Sequence, residues 1–147
     1  CPITKLPAAL VDATNITRLR LTECADLNVD KALEVIAKLP KLKELWLPLS
    51  RSLTSLAPLA KLPLKYLYLN GTYVTLPDRL PAGIGQLTKL TDLRIEYADE
   101  VAQLPEAPED VRMLRLVFSK RFTDDDIRQS AKKQPNVLYL QEYVKTL

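Results

Sequence analysis

One phrase recurs six times along the chain: an aliphatic residue, two variable ones, a second aliphatic, one variable, a third aliphatic. It is written Ile16-x-x-Leu19-x-Leu21, Leu42-x-x-Leu45-x-Leu47, Leu64-x-x-Leu67-x-Leu69 and Leu90-x-x-Leu93-x-Ile95. Two further copies follow, Val111-x-x-Leu114-x-Leu116 and the imperfect Val137-x-x-Leu140-x-Glu142. The second and third aliphatic positions alternate with variable ones, the two-residue period of a half-buried strand. Successive copies begin 26, 22, 26, 21 and 26 residues apart. A unit of that size cannot bury its apolar face alone, so neighbouring units have to stack on one another. Each phrase is therefore expected to form a short parallel strand, with one apolar face turned inward and the other left open.

The segments between phrases define the opposite side of such a stack. Residues 29–39 place Val29, Leu33, Ile36 and Leu39 on one helical face, with Asn28 as N-cap and Pro40 as the stop. A second helix is expected from Asp124 to Lys133, capped by Thr123, with acidic residues in its first turn and Pro135 beyond its end. The returns at 53–63 and 76–88 carry Pro58, Pro63, Pro77 and Pro81 and are expected as short helical or 3₁₀ turns. Residues 102–110, with Pro105 and Pro108, are expected to be extended. No linker-like run breaks the series, so the whole of 1–147 reads as one solenoid domain: a cap over 1–15, repeats over 16–136 and a terminal strand or cap over 137–147.

Composition agrees with an aliphatic core. Hydrophobic residues make up 47% of the chain and aromatics 6%, while leucine alone is roughly a fifth, far above average usage. The net charge of +3, from 21 basic and 18 acidic residues, is too small to imply a nucleic-acid partner. No apolar run approaches the ~18 residues of a transmembrane helix. Cys1 and Cys24 are too few for a disulfide scaffold.

The six in-phase phrases resemble the leucine-rich-repeat family, over roughly residues 3–143. Subtypes are mixed. Ile16 to Lys41, with Cys24 at its ninth position, resembles the long cysteine-containing and ribonuclease-inhibitor-like repeats. Leu80-Pro81-Ala82-Gly83-Ile84-Gly85-Gln86-Leu87 resembles the typical and plant-like return, and Leu104-Pro105-Glu106-Ala107-Pro108 the proline-bracketed repeats of bacterial effectors. The resemblance implies an α/β solenoid with a curved parallel sheet on its concave face and helices or extended returns on its convex face. It also implies a protein-binding role. The ninth positions, where the family usually has asparagine, read Cys24, Ser50, Thr72, Ala98 and Ser119. Small polar residues there can satisfy backbone groups in the turn, whereas Ala98 cannot. Cys24 is expected to be buried and unreactive.

By the same resemblance, positions three, five, seven and eight of each phrase point to the concave side or its edge. The third row reads Arg18, Glu44, Tyr66, Asp92, Met113 and Tyr139; the fifth reads Arg20, Trp46, Tyr68, Arg94, Arg115 and Gln141. The seventh includes Asn70 and Glu96, and the eighth includes Leu49, Gly71, Tyr97 and Phe118. Of the aromatic residues, Tyr73 and Phe122 alone fall outside these rows, and none occupies an anchor position. Trp, Tyr and Arg dominate binding hot spots because large rigid groups bury much area at small entropic cost. Trp46, Tyr66 and Tyr68, flanked by Arg20 and Arg94, form the expected centre of a partner-binding surface. Arg18, Glu44, Asp92, Tyr97, Arg115, Phe118 and Tyr139 extend it. Cross-strand stacking that merely stabilises an open sheet face is the competing reading.

Catalysis finds little support. The chain has no histidine, the commonest general base and zinc ligand, and its cysteines lack an activating partner of that kind. Asp124, Asp125 and Asp126 read as helix-capping residues rather than metal ligands. Glycines are too few for a phosphate-binding loop. The lysines at 38, 41, 61, 89, 132 and 133 flank the strands, so no basic stripe dominates one face. The expected role is a non-enzymatic protein-recognition module without cofactor or metal. Two variants of it are a substrate-recognition part of a larger effector, ubiquitin-ligase-associated or immune-receptor protein, and a bacterial envelope lipoprotein. A first residue that is cysteine resembles a processed lipoprotein, in which Cys1 would carry the lipid; a trimmed longer chain is the simpler and preferred account. The sequence leaves partner identity, compartment and oligomeric state open.

Overall fold

The computed structural model describes residues 2–71, 81–96, 113–117, 123–133 and 138–142. They form an α/β fold in which a parallel sheet alternates with helical returns. The strands are β1 (Arg18–Arg20), β2 (Glu44–Pro48), β3 (Tyr66–Asn70), β4 (Asp92–Glu96), β5 (Met113–Val117) and β6 (Leu138–Glu142). They lie side by side in chain order, every neighbouring pair parallel. β1 to β4 are described with their side chains, β5 and β6 by backbone alone.

Register follows the repeated phrase through β5. Glu44 pairs with Tyr66, Tyr66 with Asp92, and Asp92 with Met113, so third positions stand beside third positions. The second and third aliphatic positions form the inner row: Leu45, Leu47, Leu67, Leu69, Leu93 and Ile95 are each no more than 1% exposed. The first positions Leu42, Leu64 and Leu90 lie just before their strands and are equally buried. Fully burying one such side chain stabilises the fold by about 1.5–3 kcal/mol. In the first copy Ile16 and Leu19 are only partly buried, because β1 is an edge strand with a neighbour on one side only.

The sixth copy departs from expectation. Met113 pairs with Leu138, and Leu114 with Tyr139, one residue out of the phase that Val137-x-x-Leu140 suggests. Tyr139 therefore stands in the register of the anchor row instead of the third-position row. A one-residue slip exchanges the two faces of a strand. Apolar residues occupy both phases here, Val137 and Tyr139 in one, Leu138 and Leu140 in the other, so the pattern does not fix the register.

The first return is the helix α1 (Val29–Ile36). Asn28 caps it, its side-chain oxygen accepting the Lys31 amide hydrogen at 3.0 Å. Val29, Leu33, Ile36 and Leu39 are fully buried, as the helical spacing requires, and Ala32 joins them. The helix stops three residues before Leu39, since the Lys38 and Leu39 amides bond to the carbonyls of Val35 and Ile36, three residues back. Those tighter bonds close the last turn ahead of Pro40. The N-terminus of α1 is also tied to the following return. The Ser52 hydroxyl accepts the Val29 amide hydrogen at 3.0 Å and donates to the Leu27 carbonyl at 3.2 Å, and Ser50 Oγ lies 2.8 Å from it. Asp30 accepts the Thr54 amide hydrogen at 2.9 Å.

The next returns are the short 3₁₀ turns expected at proline-rich segments, Ala57–Leu59 and Ile84–Gln86. They dock through backbone bonds, Ala82 amide to Thr54 carbonyl at 2.9 Å and Leu56 amide to Ala82 carbonyl at 2.8 Å. Gly83 takes φ +85°, and a Cβ on it would stand 3.0 Å from the Ala57 amide nitrogen, so this position needs glycine both for its left-handed backbone and for the close approach. A further 3₁₀ turn, Ala8–Asp12, lies in the expected cap and contains no buried residue. Helix α2 (Asp124–Lys133) has the expected bounds. Thr123 and Asp126 cap it reciprocally: the Asp126 amide donates to Thr123 Oγ1 at 3.2 Å, and the Thr123 amide donates to Asp126 Oδ2 at 2.7 Å. The bonds that the Thr123 amide and hydroxyl donate favour the ionised carboxyl and hold the Asp126 pKa below its ordinary value.

Two ninth positions are described, and both are buried: Cys24 at 4% and Ser50 at 7% exposed. Burial pushes the Cys24 thiol pKa up, which disfavours the nucleophilic thiolate. The eighth position is a correction. After β2 and β3 the eighth residue is buried, Leu49 fully and Gly71 as well, because the chain turns inward directly after these two strands, whereas Glu23 after β1 is exposed as expected. Thr72, Ala98, Ser119 and the stretch 102–110 lie outside the described residues.

Candidate functional site: the open face of the sheet

The side of the sheet opposite the leucines carries the two variable rows. Along the fifth row, Arg20, Trp46, Tyr68 and Arg94 stand on β1, β2, β3 and β4 in direct register. The Arg20 guanidinium lies 4.1 Å from the centre of the Trp46 ring. On the other side of Trp46, Tyr68 packs edge-to-face, with ring centres 4.3 Å apart and planes at 76°. The Arg94 guanidinium lies 5.0 Å from the Tyr68 ring centre. Cation, ring, ring, cation is the resulting order, each contact worth about 0.5–1.5 kcal/mol.

Two carboxylates hold this row in place. Glu44 accepts from Trp46 Nε1 and from Arg18 Nε, both at 2.7 Å, and lies 3.6 Å from Arg20 Nη2. Partial burial alone would raise the Glu44 pKa; the Trp46 and Arg18 hydrogen bonds and the two arginine charges outweigh it and lower the pKa instead. Glu96 is 6% exposed. It pairs with Arg94 and accepts a hydrogen bond from the Tyr68 hydroxyl. Asn70 Nδ2 donates to the Tyr68 oxygen at 2.9 Å and to Glu96 Oε2 at 3.3 Å. Burial, followed by the bond to Glu96, pushes the Tyr68 hydroxyl up to about 12.

The third row differs. Tyr66 is 48% exposed, the one large hydrophobic residue so placed among the described residues. Its register neighbours are Glu44 and Asp92. Asp92 accepts a hydrogen bond from Thr91 Oγ1 at 2.7 Å. Arg18, Glu44, Trp46, Tyr66, Tyr68, Asp92 and Arg94, with Leu67 and Leu93 beneath, line a hollow of about 410 Å³.

The structure thus brings together eight residues of the expected surface: Arg18, Arg20, Glu44, Trp46, Tyr66, Tyr68, Asp92 and Arg94. Arg115 continues the fifth row beside Arg94 by register, and Tyr139 is displaced from the third row by the slip at β6. Tyr97, Phe118 and Cys1 lie outside the described residues. Glu96 and Asn70 were legible only as outward seventh positions, not as the groups that lock Tyr68. Their signal was spacing, since residues two apart on a strand share a face. Among the described residues no group of three or more His, Cys, Asp or Glu side chains could hold a metal, and no helix is long and apolar enough to cross a membrane.

The chain matches no family model, no curated protein and no solved structure.

Proposed function

We propose that this chain is a leucine-rich-repeat solenoid that works as a non-catalytic recognition module and binds a protein partner through the open face of its sheet. The supporting observation is the separation of side-chain types between the two faces. In β1 to β4 the inner rows are aliphatic, and the aromatics of these strands, Trp46, Tyr66 and Tyr68, all stand on the open face among arginines. A preorganised ring-and-arginine surface loses little side-chain entropy on binding, which is how such residues come to dominate contact energies. Six strands in sequential parallel order, with aliphatic rows on one face and variable rows on the other through β4, agree with a repeat stack.

The experiment compares proteins cross-linked to the wild-type chain in its native extract with those cross-linked to Trp46→Ala/Tyr68→Ala. A Glu34→Gln variant on the exposed side of α1 serves as control. A partner retained by wild type and control but lost by the double variant is the expected result, each lost aromatic anchor costing about 2 kcal/mol. Identical partner sets for all three chains, with circular dichroism unchanged, would sink the proposal.

A further inference from the structure

Each aromatic ring on the open face stands beside a carboxylate, but the rings differ in whether an arginine completes the set. Trp46 has Arg20 over its ring and Glu44 on its indole nitrogen. Tyr68 has Arg94 by its ring and Glu96 on its hydroxyl. Tyr66 stands beside Asp92 in the register, and among the described side chains no cation lies over its ring or within ion-pair distance of the Asp92 carboxylate. Arg18, which lines the same hollow, is held by Glu44 at 2.7 Å, and Arg94 is held by Glu96. The hollow therefore keeps one exposed ring and one carboxylate that the arginines lining it leave uncompensated.

We propose that Tyr66 and Asp92 form a subsite for a cationic side chain, arginine or lysine, on a basic segment of the protein partner. The inference rests on the proposed role of this face in protein recognition and supplies the partner's chemistry at one point. Neighbouring strands are about 4.8 Å apart, which sets the two residues at the spacing needed for one guanidinium to lie against the ring and donate to the carboxylate. Charge complementarity selects the occupant. An acidic group at this point would meet Asp92 and the π face of Tyr66, both of which repel it. The fold already makes the proposed contact twice from its own residues.

The test is a heteronuclear NMR titration with the blocked peptide acetyl-Gly-Arg-Gly-amide, against the same peptide with Gln or Glu in the centre. The chain carries net charge +3, so non-specific attraction favours the Glu peptide, and preference for Arg has to come from a local carboxylate. Saturable shifts of the residue 66 and 92 amides with the Arg peptide alone are expected. Asp92→Asn and Tyr66→Ala should each weaken binding about fivefold, while Glu34→Gln, which removes the same charge elsewhere, should not. Spectra unchanged away from the hollow show that the variants fold. No saturable shift, equal response to the three peptides, or equal binding by wild type and Asp92→Asn would overturn the subsite. Cross-linked partners that still depend on Trp46 and Tyr68 would, in that case, leave the wider role of the face standing.

Discussion

At the scale of the residue, Trp46 and Tyr68 changed meaning most. Their side-chain types placed them at the centre of an expected contact surface; each is also gripped by an arginine and a carboxylate, which fixes its ring, while Tyr66 is the more exposed ring. Tyr68 makes the grip measurable. Its hydroxyl is raised from 10.0 to about 12, so the folded chain holds that proton more tightly than the unfolded chain does. The resulting stabilisation is complete below pH 10 and is lost as pH rises from 10 to about 12. Urea midpoints of wild type and Tyr68→Phe should therefore differ most at pH 8 and converge toward pH 12. A constant gap across that range would show that the hydroxyl does not titrate as described. The rows that meet on this face were legible because strand side chains alternate strictly. The cross-strand and cross-return hydrogen bonds of Glu96, Asn70 and Ser52 were not, because they depend on rotamers and on contacts between residues more than twenty positions apart.

At the scale of the element, the helices were the most legible parts of the chain. Asn28 and Pro40 bracket α1, and Thr123 opens α2, each through a local rule of capping or stopping. The 3₁₀ returns were legible as a type, since proline-rich segments of that length cannot hold a full helix, but their docking was not. Gly83 carries that docking. Its left-handed φ and its approach to the Ala57 backbone make two separate demands. Gly83→Ala should lower stability by about 1–2 kcal/mol from the backbone conformation alone, and more from the contact. Gly85 lies in the same turn, and a Cβ added to it would meet nothing within 4 Å, so Gly85→Ala should cost much less. Thermal unfolding of the two variants, side by side, decides whether close approach or mere turn formation explains the glycine.

At the scale of the whole molecule, the described core is continuous from Leu6 to Ile95 and passes through every strand from β2 to β4. Leu67, in the middle strand of that group, is 1% exposed. Leu67→Ala should destabilise the chain by about 2–5 kcal/mol, and amide exchange should quicken in β2 and β4 together with β3, because both neighbours lose a packing partner. Exchange quickened in β3 alone would mean that the units are less coupled than their shared core suggests. The phase of the leucines made the order of strands legible through β5 and failed at β6, where apolar residues fill both phases and no further strand follows in the described sheet to choose between them. The division of side chains between the faces has one last consequence. Trp46 is the sole tryptophan, and it sits in the ring-and-arginine row rather than among the leucines. Its intrinsic fluorescence therefore reports the state of the open face, so that a shift in emission without loss of helix signal marks a change at that face and not an unfolding core.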